Sequence, residues 1–597
     1  MTLFKTNTKV LFVLCSIFLS LFLIESAHSQ FDELKINLSN ARGSKFKATY
    51  IPPEGFRKTP IEFRRYSRLC YFPLLKHSFI SKPKAYDSDN QRVKVNISND
   101  KFIPQKQVAF WEYFIDASKF PEYINPPLRS TIISGKSALI YPSLYYPFLD
   151  KPEISHRIAI KDDISNKDSN TIERIDFKEY LDIDEFIYST YAKRLTIHDS
   201  SDIHINLLGR FNKLEEFEIQ SIIEQIVLAF KKTTGKNLPQ NFVFNISEAS
   251  IDKSNKLPVS AVYKNSITVM VDKSFDEYRQ KSIIIENSMW QLFRWLSPIH
   301  SHDSSWAYLD PKDGKHSIHL WYYEAVTEYL SLICLIKNKL ITEPYFTQTI
   351  QKKVSRSLKE PSYSLIQLGK DFSSQSGKIQ IKNNLKAYDV LSNRGVIVAL
   401  IMDIVLLNES NGYKGLLHEY LNIHKTFEND AFPTDRFISL IAKGHSKDFK
   451  IVLEKYVLGI DQFHLKSYFD LIDWQFFRKG EIHKSFMKRG HLTYFPEIGK
   501  YVCTSAGKNN VGLEKGDIIL SINNDTQIST FDLNEIILPA KGGFRNENRV
   551  KIEIFRDGKE MVLRGKAEFK AKVKNDIIIP LFNPSSDGYQ LRKTMIH

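Results

Sequence analysis

The sequence predicts an α+β chain of several domains: β-rich at the N-terminal end, mainly helical in the middle, and finished by a small β domain. Three observations lead there. Between Gln30 and about Glu185, short alternating runs such as Val93, Val95 and Ile97 are interrupted by turns and prolines, the pattern of strands with edge positions. From Ile187 to about Lys479, apolar residues recur at helical spacing over long stretches. Beyond Gly480 strand-like runs return, joined by turns such as Asp557-Gly558 that suit positive φ.

Composition supports a folded chain. A length of 597 residues has room for about three or four domains, and 42% hydrophobic with 25% charged residues excludes wholesale disorder. The net charge of +15 is dispersed, and no finger, RNP-type or helix-turn-helix signature accompanies it, so a nucleic-acid partner is not expected. A solvated basic surface able to contact anionic envelope polymers accounts for the charge. Lys5 and Lys9 precede an apolar run from Val10 to Ile24, and Ala27-His-Ser29 offers a small-x-small cleavage site. That run is shorter than the roughly 20 residues of a membrane span, so residues 1–29 read as a signal peptide. The expectation is export to a periplasmic or extracellular space, with no transmembrane span in the mature chain. Four cysteines, one of them Cys15 within that leader, make neither a disulfide framework nor a metal motif, and Cys334 reads as a small core residue.

The expected units are a β-rich domain at 30–186, a central domain at 187–479, a small β domain at 480–572 and a tail at 573–597. The central one opens with a strand at Asp202–Leu208 and a helix at Phe217–Thr233, whose Ile219, Ile222, Ile223, Ile226 and Phe230 share a face. Two further helices organise it. Ile283–Leu296 carries the stripe Ile285, Met289, Leu292, Phe293 and Leu296 and is stopped by Pro298. His319–Leu340 places Glu324 in a stripe with Leu320, Tyr323, Thr327 and Ser331, where a carboxylate needs a partner.

The run Met289-Trp-Gln-Leu-Phe-Arg-Trp-Leu-Ser-Pro-Ile-His-Ser and the later His319-Leu-Trp-Tyr-Tyr-Glu-Ala-Val-Thr-Glu-Tyr resemble the core of bacterial glycyl-aminopeptidase-like metallopeptidases. That resemblance implies a thermolysin-like, gluzincin-type central domain. In the family the first helix carries H-E-x-x-H, two zinc-binding imidazoles with a general base between them, and the second supplies a glutamate ligand. Laid on this chain, the first imidazole falls on Met289, the base on Trp290 and the second imidazole on Phe293. Glu324 alone matches, with Ala325 in place of the usual glycine, and Glu328 matches a further family position. Neither Met289 nor Phe293 offers a nitrogen ligand, and an indole cannot take a proton from water. The family's oxyanion-stabilising tyrosine falls on Ser392, ahead of matching Arg394 and Gly395, and its cleft-lining acidic and imidazole positions fall on Tyr263 and Lys264.

The segment Val511-Gly-Leu-Glu-Lys-Gly-Asp-Ile-Ile-Leu-Ser-Ile-Asn-Asn resembles the turn and strand of bacterial PDZ domains. It makes Gly512, Leu513, Gly516 and Asp517 candidate binding residues for an extended peptide.

Together the resemblances imply an exported, catalytically inactive relative of a zinc aminopeptidase that binds peptides or envelope proteins, with no cofactor. An active alternative would need zinc at a displaced site, drawn from Glu324 with His300, His302, His316 or His319; another alternative is a purely structural envelope protein. His418-Glu-Tyr-Leu-Asn422 mimics the zinc motif, but the residue one turn on is Asn422, so an exposed helix face is expected. Restoring Met289→His, Trp290→Glu and Phe293→His is expected to recruit zinc wherever the surrounding geometry persists.

Overall fold

In the computed structural model the described residues are 31–42, 45–63, 79–98 and 101–116, strand segments between 137 and 198, and most of 202–597. The longer breaks in that last part are 250–259, 298–317, 374–380, 428–435, 496–499 and 523–548. The expected leader, Tyr263, Lys264, His300, His302 and His316 lie outside the described residues.

The N-terminal region is a seven-stranded sheet. Its strands are β1 (Phe31–Arg42), β2 (Lys45–Ile51), β3 (Lys84–Tyr86), β4 (Arg92–Val93), β5 (Phe110–Asp116), β6 (Ser155–Lys161) and β7 (Ile175–Phe177), in the order β7-β6-β1-β2-β5-β3-β4. β1 runs parallel to β6 and antiparallel to β2. The period of two is plain: Phe46, Ala48 and Tyr50 of β2 and Trp111, Tyr113 and Ile115 of β5 are buried, with Lys45 and Lys47 of β2 and Glu112 of β5 on the other face.

The central region pairs a mixed sheet with helices. Strands β8 (Lys193–His198), β9 (Asp202–Leu208), β10 (Phe242–Ala249), β11 (Ser260–Val262) and β12 (Ser266–Asp272) lie in the order β8-β9-β10-β12-β11, and β9, β10 and β12 are mutually parallel. β12 is buried at every position, so apolar Ile267, Val269, Met270 and Val271 occupy both of its faces. Helix α1 (Glu216–Thr234) crosses from β9 to β10 and ends at Gly235, whose φ of +68° makes the left-handed stop.

Helix α2 (Glu277–Leu296) starts earlier than its apolar stripe, because the Asp276 side chain accepts a hydrogen bond from the Arg279 N–H at 2.8 Å and caps the helix. The second organising helix opens with a π-helical turn, Tyr322–Val326, that carries Glu324, and continues as α3 (Thr327–Lys337). Helices α4 (Glu343–Ser357), α5 (Ile381–Glu409) and α6 (Leu416–Thr426) follow. α5 contains a long apolar stretch within Ala387–Glu409, buried from Asn393 to Leu407; it is the core helix around which α3, α4 and α6 pack.

At the C-terminal end, β13 (Trp474–Phe477) leads into an antiparallel sheet of β14 (His491–Phe495), β15 (Lys500–Ser505), β16 (Ile518–Ile522), β17 (Arg549–Arg556) and β18 (Lys559–Lys566), in that order. The β17–β18 hairpin turns at Asp557 and Gly558, with φ of +50° and +77°.

The expected tail is a structural element instead. β19 (Ile577–Pro580) pairs antiparallel with β13, and α7 (Asp587–Ile596) docks on the central helices. Met595 and Ile596 are buried there, and buried Arg592 donates to the carbonyls of Ile472, Asp473 and Leu581. The small β domain is thus inserted between two paired strands of the central region.

Candidate functional site

Helices α2 and α5 and the π-helical turn converge on Glu324. Met289 and Phe293, at the two imidazole positions, are fully buried. Phe293 packs edge-on to Phe230 with ring centroids 5.7 Å apart, and the Tyr420 hydroxyl donates to the Phe293 carbonyl at 2.6 Å. Trp290, at the base position, is half-buried, and its indole N–H points to the Glu324 carbonyl and the Thr327 hydroxyl, each at 3.1 Å. Three side chains of one helix face are therefore spent on packing and on tying α2 to the turn.

Glu324 has no exposure. One carboxylate oxygen accepts from the Arg294 guanidinium at 2.8 Å, and the other accepts from the Tyr388 hydroxyl at 3.0 Å. Arg294 is one residue past the second imidazole position, with its side chain 7% exposed. Its guanidinium carbon lies 4.5 Å from the Tyr323 ring centre and 5.3 Å from that of Trp290. A directed chain of hydrogen bonds continues outward. Arg294 donates to Gln291 at 3.0 Å, Gln291 to Ser260 at 2.7 Å, and Ser260 to Asn287 at 2.9 Å. The buried pair is thereby tied to β11, the edge strand of the mixed sheet.

Beside this core lies a second polar group on α2, α3, α4 and α5. Glu328 is ion-paired to Lys353 at 2.6 Å. Ser392, the position of the family's tyrosine, donates to Glu328 at 2.9 Å and accepts from Lys353 at 2.8 Å. Glu286 accepts from the Tyr345 hydroxyl, and burial, against that bond, pushes its carboxyl above the ordinary range. Arg394 turns elsewhere, donating to the Asp461 carbonyl at 3.0 Å and lying over Phe463, and burial draws its guanidinium down to about 10.

His319 is buried with its ring edge-on to Phe437 at 4.8 Å. His418 and Asn422 are exposed on α6, as expected. Buried Cys334 has its thiol pushed up to about 12, an inert core residue. Among the described residues no group of three or more His, Cys, Asp and Glu side chains could hold a metal.

The donor set does not fit a catalytic zinc of the kind the resemblance implies. Such an ion needs three ligands and an open position. Here both imidazole positions are hydrocarbon or thioether, and both oxygens of the one matching carboxylate are engaged by Arg294 and Tyr388.

In the C-terminal sheet, Leu513 is a core residue and Asp517 is 1% exposed. Arg556 clamps Asp517 through two bonds of 2.6 and 2.7 Å and donates to the Gly512 carbonyl at 2.8 Å. The Asn509 side-chain oxygen faces the N–H groups of Val511, Gly512 and Leu513 at 2.8–3.3 Å. Gly516, at φ +101°, supplies the turn before β16. The turn's polar atoms are therefore committed within the domain.

Sequence reasoning missed Arg294 and Tyr388 as partners of Glu324. The available signal was a lone arginine one turn after Trp290, inside a buried stripe.

No family model matches the chain, and no curated protein does. Among solved structures, an aminopeptidase N family protein from Idiomarina loihiensis is similar with TM-score 0.67 at 12% identity, covering 95% of this chain and 100% of that one. An M1 zinc metallopeptidase from Deinococcus radiodurans covers 73% of this chain and 95% of its own at 11% identity and TM-score 0.41. Legionella pneumophila aminopeptidase A in complex with aspartic acid covers 92% of this chain and 56% of its own at 10% identity and TM-score 0.41. Over nearly its whole length, the chain has the fold of an aminopeptidase N family protein.

Proposed function

We propose that this is an exported, non-catalytic protein on an aminopeptidase scaffold, which binds peptides or envelope proteins through its former cleft or its C-terminal PDZ-like domain. One observation carries the non-catalytic part: Glu324, the one matching ligand, is neutralised by Arg294 while Met289 and Phe293 are sealed into the core. A chain that needs no metal at this point retains a scaffold whose remaining use is recognition. The sheet edges support the binding part, since among the described residues β14 pairs only with β15 and β18 only with β17.

The test is metal analysis of the purified chain together with hydrolysis of glycyl and alanyl p-nitroanilides. Stoichiometric zinc, with turnover that a chelator abolishes, would sink the reading. A peptide array probed with the full chain addresses binding, and failure to retain any peptide favours a structural envelope role.

A further inference from the structure

We infer that Arg294 is an internal substitute for the divalent cation, and that it excludes metal from Glu324 even when imidazole ligands are supplied. A carboxylate with no exposure must be neutralised or protonated. Arg294 reaches it from α2, the same helix that would have delivered the ion, and engages one oxygen at 2.8 Å. The guanidinium cannot swing away cheaply. It lies 4.5 Å from the Tyr323 ring centre and its second nitrogen is spent on Gln291, contacts that the triple variant named below leaves in place. A planar, permanently charged fork held in this way behaves as a fixed cation, where a lysine would be a mobile one. Tyr388 takes the other carboxylate oxygen, so an incoming ion must compete with a hydrogen bond at each oxygen. It also meets a positive charge a few ångströms away, in a setting with little water to screen it.

The consequence differs from what the ligand positions alone suggest. Met289→His, Trp290→Glu and Phe293→His together leave the site metal-free, and the same three changes with Arg294→Met admit an ion. This rests on the non-catalytic reading above.

The experiment measures zinc content and calorimetric zinc affinity of the full-length wild type, the triple variant and the quadruple variant. We expect no stoichiometric zinc in the first two and about one ion per chain in the third, with affinity raised on the order of 100-fold or more. A triple variant that binds zinc as tightly as the quadruple one overturns the inference and leaves the non-catalytic reading standing, whereas zinc in the wild type overturns that reading itself. Should neither designed variant hold zinc, a thermal double-mutant cycle of Arg294→Met and Glu324→Gln decides. The double variant melting above Arg294→Met alone supports the counter-ion role, and strictly additive losses overturn it.

Discussion

Gly395 on α5 and Ala325 on the π-helical turn approach so closely that a Cβ at position 395 would collide with the methyl group of Ala325. The contact seats the turn that presents Glu324, and it explains how an alanine is tolerated where the resembled family has glycine. Gly395→Ala should cost about 1–3 kcal/mol by overpacking, measured as a shifted midpoint in urea. Pairing it with Ala325→Gly should recover most of the loss, because the collision then has only one side.

Glu286 gives the protein a pH dependence of definite sign. Burial raises its carboxyl above the ordinary 4.5; the neighbouring Glu328 raises it further, while the Tyr345 hydroxyl, Lys352 and Arg279 oppose this. The folded state therefore holds this proton to higher pH than the unfolded chain does. The group's contribution is fully present below 4.5 and is lost as pH rises through the folded value. Glu286→Gln should flatten that decline, so that the melting temperature of the variant gains on the wild type through the pH window that opens at 4.5 and extends upward. Parallel melting curves across this window would refute it.

Arg556 holds the C-terminal turn to the β17–β18 hairpin. Its bonds to buried Asp517, the Gly512 carbonyl and Glu514 all come from one guanidinium. Arg556→Met strands the Asp517 carboxylate and should cost about 3 kcal/mol, read as faster hydrogen exchange in β16 and β17. Arg556→Lys should fail to rescue, since an ammonium cannot reproduce the two-pronged contact.

Arg592 anchors α7. Three carbonyls, on Ile472, Asp473 and Leu581, accept from it, and Glu343 lies 3.2 Å from its Nε. Arg592→Ala leaves those carbonyls unpaired in a dry setting, at a cost of about 2–4 kcal/mol. Limited proteolysis should then release the segment from Asp587 onward while the N-terminal sheet stays intact.

Much of the fold follows from local pattern. The stripe of α1, the cap-and-proline limits of α2, the apolar length of α5 and the Asp557-Gly558 turn are each set by neighbours within a few residues. The emptiness of the imidazole positions is equally local, because Met289 and Phe293 lack a ligand atom whatever surrounds them. The return of β19 and α7 to the central region was not legible. A short strand preceding an amphipathic helix looks the same in a tail as in a docked element, and only Trp474, Ile472 and Asp473 decide between them.

What the residues determined by themselves was a negative: side chains unable to coordinate or to accept a proton stand on the face of α2 where the resembled chemistry requires both. What only the tertiary structure decided was the fate of Glu324. Its two partners, Arg294 and Tyr388, lie 30 and 64 residues away along the chain. No helical period spans such separations, and a buried charge takes whichever neutralising group the packing of three elements happens to bring within reach.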